Sequence, residues 1–352
     1  MGKHVSTTIT LADIARNCGV SLRVVNAVIS GDIGKNVRYS DKTKKRVLEE
    51  SRKIGYRPNR AARAMRTGRF ESIGLLIRQN SKWMNIPIPL LDGLSSTLSS
   101  NSFRMNILEE SVDEFAKYSP GAISEVLKEM MVDGLIVSCW GGVPGLQKKI
   151  VEETALPVVW LNAKYGFNCV YPDNKLAGRL ATEHLLAMGH TRIAYADLNY
   201  NGHFSGIDRL AGYKSAMASS GLSPEVFIER IPRPERVKVA NEIFGSLQRP
   251  TAIVTYGGNS ALPILYCAIR MGIDIPRELS LITIGVEVQN SIGIEISTLL
   301  EEVNIMGIEA AKMLFLRAKS DGKPVPSVTL PLVRIKGQTC APPSSSRILK
   351  KK

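Results

Sequence analysis

Hydrophobic and polar residues follow one period up to residue 70 and another beyond it. In the first stretch the apolar positions recur only at helical spacing. Leu11, Ile14 and Ala15 mark a short helix. It is entered through Thr10-x-x-Asp13, the spacing of a capping box, and left at Cys18-Gly19, where glycine accepts the positive φ of a tight turn. Ser21 is placed to cap a second helix over 22–29, with Val25 and Val28 inward. Ala15 is small enough for close approach of that helix, and Gly19 supplies the turn, so the pair reads as a helix-turn-helix. A third helix is expected from Ser40 to Ile54, with Val47, Leu48, Ser51 and Ile54 inward and Gly55 closing it. Residues 59–66 follow, rich in alanine and arginine and too short to hold a helix alone.

From Glu71 the pattern becomes short apolar runs alternating with helical ones. Strands are expected at 72–77, 103–108, 134–138, 157–161, 192–197, 226–230, 251–255 and 280–284. Helices are expected at 89–101, 119–132, 143–154, 174–188, 205–220, 235–247, 259–271 and 303–317. Such alternation builds parallel sheets of doubly wound type, and this many strands suits two sheets better than one. Ligands in such folds sit at the carboxyl ends of the strands, here in a cleft between two lobes.

The charge is unevenly placed. The chain of 352 residues carries a net +14, of which +11 lies in residues 1–70 and +4 in the last six, RILKKK, leaving the body within one charge of neutral. A basic folded module on a neutral body is the footprint of a polyanion-binding headpiece. The five cysteines, Cys18, Cys139, Cys169, Cys267 and Cys340, are scattered and never form C-x-x-C, which argues against a disulfide framework and a zinc site. No apolar run approaches the ~18 residues that suggest a membrane span, and MGKHVSTTIT has no secretory pattern, so a cytoplasmic protein is expected. There is no G-x-x-x-x-G-K-[ST], H-E-x-x-H or G-x-S-x-G, and His4, His184, His190 and His203 are dispersed. No catalytic residue, metal ligand or cofactor is therefore expected, and the chain is read as a non-enzyme.

The run T-L-A-D-I-A-R-N-C-G-V-S, then V-V-N-A-V-I-S, S-D-K-T-K-K-R-V-L and G-Y-R-P-N-R-A-A-R-A-M-R-T-G-R resembles the headpiece of the lactose-repressor (LacI) family across residues 8–70. The resemblance implies that the helix opening at Leu22 enters the major groove of double-stranded DNA. It also implies that 59–66 is a minor-groove hinge helix, with Met65 as the wedge between base pairs. Side-chain chemistry adds candidate roles. Arg23 is suited to a bidentate bond to guanine, Leu22 or Val24 to a thymine methyl, and Asn26 to adenine or phosphate. Thr10, Ser21, Thr43, Tyr56 and Asn59 read as backbone-positioning groups, with Lys35 and Arg38 as further phosphate contacts and Arg63 as a further DNA-binding residue. Ala27 stands where the family often has an arginine, and the loop over 31–38 is longer than usual.

The resemblance continues through D-N-K-L-A-G-R-L-A-T-E-H-L-L-A-M-G-H-T-R-I-A-Y and R-L-A-G-Y, over 173–213. It implies an all-α helix-turn-helix headpiece joined to an α/β periplasmic-binding-protein-like body of two doubly wound parallel-sheet lobes. The expected organisation is a headpiece at 8–58 and a hinge and linker at 59–70. An N-lobe follows from 71–171 and 301–328, a C-lobe from 172–300 and 329–340, and a basic disordered tail at 341–352. By resemblance Arg209 is the arginine that grips an effector. Three acidic or amide positions of the family are altered, to Asn162, to Gly257-Gly258 beside Tyr256, and to T-I-G-V over 283–286 with Glu287 the nearest acid. An unmodified hexose is accordingly disfavoured. Trp83 and Trp140 follow strand ends and are suited to stack on a ring. The expected function is a homodimeric repressor on a pseudo-palindromic operator, controlled by a small-molecule effector. A regulator without an effector, an enzyme and a transport-type binding protein are the competing readings.

Overall fold

In the computed structural model the described residues are 9–30, 37–58, 64, 67–78, 86–110, 131–140, 148, 151, 153–154, 156–232, 235–245, 249–286, 293–332 and 335–344. The chain divides into two compact units, Met1–Phe70 and Glu71–Lys352. The expected helices at 119–132 and 143–154 fall almost wholly outside the described residues, as do Lys35, Asn59, Arg63, Met65, Trp83, Glu287 and the last eight positions.

The first unit holds three helices, α1 (Leu11–Cys18), α2 (Leu22–Ser30) and α3 (Asp41–Lys53). α2 and α3 each begin on a serine that satisfies an otherwise orphaned backbone donor, and α1 begins on a bond between Thr10 and Asp13. The Asp13 carboxylate reaches back to accept from the Thr10 N–H at 2.9 Å and the Thr10 hydroxyl at 2.8 Å. These contacts hold that carboxyl below its ordinary range. Ser21 Oγ accepts from the Val24 N–H at 3.3 Å, and Ser40 Oγ from the Thr43 N–H at 3.2 Å. Gly19 turns the chain at φ +57°, and the Val20 N–H returns to the Ala15 carbonyl at 3.1 Å. Ile14, Ala15, Cys18, Val25, Val28 and Val47 form the core, with Tyr39, Leu48, Ile54 and Tyr56 packed around it.

The second unit contains two six-stranded sheets. The first, from β1 (Ser72–Arg78), β2 (Arg104–Glu110), β3 (Leu135–Ser138), β4 (Val158–Leu161), β5 (Cys169–Pro172) and β11 (Val328–Leu330), is ordered β11-β5-β4-β3-β1-β2. The second is ordered β12-β10-β9-β8-β6-β7. Its strands are β6 (Ile193–Asp197), β7 (Glu225–Ile228), β8 (Ala252–Thr255), β9 (Ser280–Gly285), β10 (Ser297–Leu300) and β12 (Ile335–Lys336). All pairings are parallel except β10 with β12. Apolar side chains lie on both faces of each sheet, the burial that parallel sheets require.

Helices α4 (Ile88–Ser100) and α9 (Val303–Lys319) cover one face of the first sheet. In the second lobe α5 (Asn174–Ala187) and α6 (Phe204–Ser219) cover one face, and α7 (Arg236–Phe244) and α8 (Gly258–Arg270) the other. Glycines set the closest helix contacts. A Cβ on Gly178 of α5 would lie 1.9 Å from the Arg209 carbonyl oxygen, and one on Gly212 of α6 would lie 2.0 Å from that of Lys175.

Four strands beyond those expected, β5, β10, β11 and β12, lie beside the passages between lobes, which follow β5, β10 and β11 in turn. Ala341, expected in a disordered tail, is instead fixed. Its N–H meets Ser280 Oγ at 3.0 Å and its carbonyl meets His190 Nε2 at 2.9 Å, because the start of β9 and the turn before β6 leave polar groups there to be satisfied.

Candidate functional site

In the first unit the start of α2 is the best-presented surface for a groove. Leu22 is 52% exposed and Arg23 is also exposed, while Asn26 is half-buried. Val24 packs against the three-helix core, which leaves Leu22 as the apolar side chain offered outward. Ala27 is buried, so the position where the resemblance anticipated an arginine is taken up by packing. Thr10 and Arg38 are exposed. Thr43 pairs its hydroxyl with Ser40 Oγ at 3.0 Å, Ser21 caps α2, and Tyr56 lies against the core. Five of the candidate DNA contacts, Thr10, Ser21, Val24, Thr43 and Tyr56, thus also carry fold-forming bonds or packing.

The second unit gathers polar side chains where strand ends meet helix starts. Arg209, on the first turns of α6, is buried and donates through four of its five N–H groups. Nε meets Asn174 Oδ1 at 2.8 Å, and Nη1 meets the Tyr256 carbonyl at 2.5 Å and the Ile284 carbonyl at 3.2 Å. Nη2 pairs with the Glu301 carboxylate, itself buried. The Tyr256 ring covers one face of the guanidinium, 4.6 Å from its carbon. Asn174 opens α5 directly after the first passage between lobes, and Glu301 follows β10 at the second. Arg209 therefore ties two passages together.

A hydrogen-bond chain joins the lobes. The backbone N–H of Ser205 can only donate, and it lies 3.3 Å from His203 Nδ1, so the ring proton is on Nε2. Nε2–H then donates to the Asn162 carbonyl of the opposite lobe at 3.2 Å. Asn162 reaches this position in a left-handed turn at φ +59° directly after β4. Ser205 Oγ lies 2.6 Å from His203 Nδ1 and 2.7 Å from Tyr256 Oη, which orders the chain as Tyr256 to Ser205 to His203. Burial holds His203 below the ordinary histidine range and raises Tyr256. Lys164 and Asp208 add a 2.8 Å ion pair across the same gap, and the rings of Tyr171 and Phe204 meet there edge to face at 5.8 Å.

The structure brings together Asn162, Arg209 and Tyr256 of the expected effector residues. Trp140 is half-buried against the first lobe's core, and Trp83 and Glu287 lie outside the described residues. Sequence reasoning missed Asn174, His203, Ser205 and Glu301, together with Asp197 at the end of β6. Asp197 is 2% exposed, accepts the Asn199 N–H at 3.0 Å, and is raised above the ordinary carboxylate range chiefly by burial. A carboxylate closing a buried strand was the one available signal.

The chain thus joins a three-helix unit, with exposed side chains at the start of its second helix, to a body of two parallel-sheet lobes of periplasmic-binding-protein-like build. A periplasmic binding protein-like domain matches residues 182–340. The transcriptional regulator GalR of Escherichia coli K12 is 26% identical over 333 residues, 91% of this chain and 92% of GalR. The transcriptional repressor PurR of Vibrio parahaemolyticus is 25% identical over 320 residues, 88% and 92% of the two chains. In fold, the lac repressor dimer bound to operator and the anti-inducer ONPF superposes with a TM-score of 0.78 at 19% identity, over 95% of this chain and 100% of that one. The regulator CelR in complex with cellobiose does so at 0.65 and 20%, over 94% and 99%. Over about nine-tenths of its length the chain is thus similar in sequence to the transcription regulators GalR and PurR, and in fold to the lac repressor. Among the described residues no helix is long and apolar enough to cross a membrane, and no cluster of His, Cys, Asp and Glu is arranged to hold a metal.

Proposed function

We propose that this protein is a cytoplasmic, homodimeric repressor that binds a pseudo-palindromic operator and is controlled by a small molecule in the cleft between its lobes. The observation that carries the reading is a buried polar cluster at the carboxyl ends of β4, β6, β8, β9 and β10, with links between the lobes. Such a cluster changes when the lobes move, and lobe movement is what a ligand in the cleft biases. In this reading α2 lies in the major groove with Arg23 and Leu22 against base edges and Asn26 beside them. Thr10, Ser21, Arg38, Thr43, Tyr56, Asn59 and Arg63 position the backbone, and Met65 is the minor-groove wedge. Trp83, Trp140, Asn162, Arg209, Tyr256 and Glu287 surround the ligand.

Dimer formation is supported by α8. Leu262, Tyr266 and Ile269 lie one above another on its outer face and are 37%, 50% and 49% exposed, an apolar stripe suited to a second copy. Footprinting of bound genomic DNA is expected to recover a two-fold symmetric motif, and light scattering a dimer. Diffuse occupancy without a motif, or a monomer at the concentrations that protect DNA, would overturn the reading.

A further inference from the structure

The Arg209 guanidinium has an internal anion. Of its five N–H groups, Nε is taken by Asn174, both on Nη1 by backbone carbonyls, and one on Nη2 by Glu301. A carboxylate or phosphate ligand gains most from two adjacent N–H groups in a fork, and no adjacent pair is left. Among the described residues' contacts a single Nη2 N–H remains, enough for one hydroxyl or carbonyl. The Glu301 main chain is fixed independently of that pairing, because its backbone N–H donates to the Gly285 carbonyl at 2.8 Å. The pair is buried on both sides, with 7% and 8% of the side chains exposed, so a second anion would meet Glu301 with little screening. Asp197, 2% exposed in the same lobe, adds another acceptor rather than a donor.

We propose that Glu301 determines the ligand class of this cleft: it fills the anion position of Arg209, and so restricts the effector to uncharged, hydroxyl- or amide-bearing molecules. This rests on the reading of the cleft as an effector site. An uncharged ligand uses the spare N–H as one donor and offers its own donors to the carboxylates. Removing Glu301 turns the same arginine into a site for a free carboxylate.

The test is chemical rescue in the full-length chain, read as thermal midpoint against sodium propionate, with sodium chloride at matched ionic strength as reference. Glucose and glucuronate serve as an uncharged and an anionic probe of one shape. Wild type is expected to show no saturable propionate or glucuronate effect beyond chloride. Glu301→Ala is expected to show a saturable propionate-dependent rise in midpoint and at least tenfold tighter glucuronate binding than wild type. The double variant Arg209→Met/Glu301→Ala is expected to lose both. Glu301→Gln keeps the shape and a hydrogen bond to Arg209 but not the charge. It is expected to fold where the alanine variant does not, and to bind glucuronate more tightly than wild type. Saturable glucuronate binding by wild type equal to that of either variant overturns the proposal, as does rescue that persists without Arg209. A panel of uncharged sugars and nucleobases that fails to stabilise wild type overturns the effector reading itself. Rescue in Glu301→Ala would still show Glu301 to be the resident anion.

Discussion

Gly178→Ala is a change whose sign two physical rules predict oppositely. Gly178 sits inside α5, where helix propensity alone favours alanine by about 1 kcal/mol. The new methyl carbon, however, lies 1.9 Å from the carbonyl oxygen of Arg209, a backbone atom that has no rotamer to escape through. To reach ordinary contact at 3.4 Å, α5 and α6 must separate by about 1.5 Å at their crossing. Overpacking of this kind costs roughly 1–3 kcal/mol, and a backbone neighbour puts it at the upper end. Set against the propensity gain, the net loss is about 2 kcal/mol, or about 4–8 °C in the melting of the body. Because the displaced carbonyl belongs to Arg209, ligand response should fall with stability while DNA binding by the first unit persists. Gly206→Ala is the control, since its nearest neighbour would be a side-chain oxygen at 3.6 Å. Denaturant unfolding followed by circular dichroism compares the two. A Gly178→Ala variant as stable as wild type or more so would refute the close-approach argument.

Further outcomes are accessible to simple assays. Arg23→Ala should cost about 1–3 kcal/mol in binding to the operator, with a smaller loss on unrelated DNA, as read by gel shift at fixed salt. Equal losses on both would make Arg23 a phosphate contact. Burial lowers the titration of His184, His190 and His203, so the unfolded chain takes up their protons at higher pH than the folded one. Their contribution to stability is present above about pH 6.5 and is lost as pH falls through their folded-state values. Unfolding free energy should therefore decline from pH 7.5 toward 5, and His190→Gln should flatten the slope; a profile level over that range would contradict the assignment. Burial raises the thiols of Cys139, Cys169 and Cys267, and pushes Cys340 up to about 11. Iodoacetamide at pH 8 should accordingly modify these cysteines only after denaturant is added, as mass spectrometry would show.

The headpiece was legible because its signals are local. Thr10 with Asp13, Gly19 and Ser40 act within a few residues, and the bonds they make span three to five positions. The alternation of strands and helices was legible for the same reason. The strands β5, β10, β11 and β12 were not, since two to four residues carry too little pattern to separate a strand from the chain passing between lobes. The cleft was legible only in part. Arg209 stood out through the motif around it, but its anion is Glu301, 92 positions away, and nothing in the run L-L-E-E marks one glutamate as buried. His203 was read as one dispersed histidine among four. Its role depends on a helix start and a left-handed Asn162 in the other lobe, which come together only when both sheets have formed.

The first lobe is assembled from chain on either side of the second. Its strand β1 begins at Ser72, yet α9, which lies against α4, and β11, which completes the sheet beside β5, end at Lys319 and Leu330. A ribosome therefore releases a half-covered sheet and an unpartnered apolar face on α4 and must make the whole of the other lobe before covering them. During that interval Leu90, Leu94 and Leu98 lack the α9 residues that bury them in the finished protein. Nascent chains stalled before residue 303 should be the stage of synthesis most dependent on chaperones and most prone to aggregate.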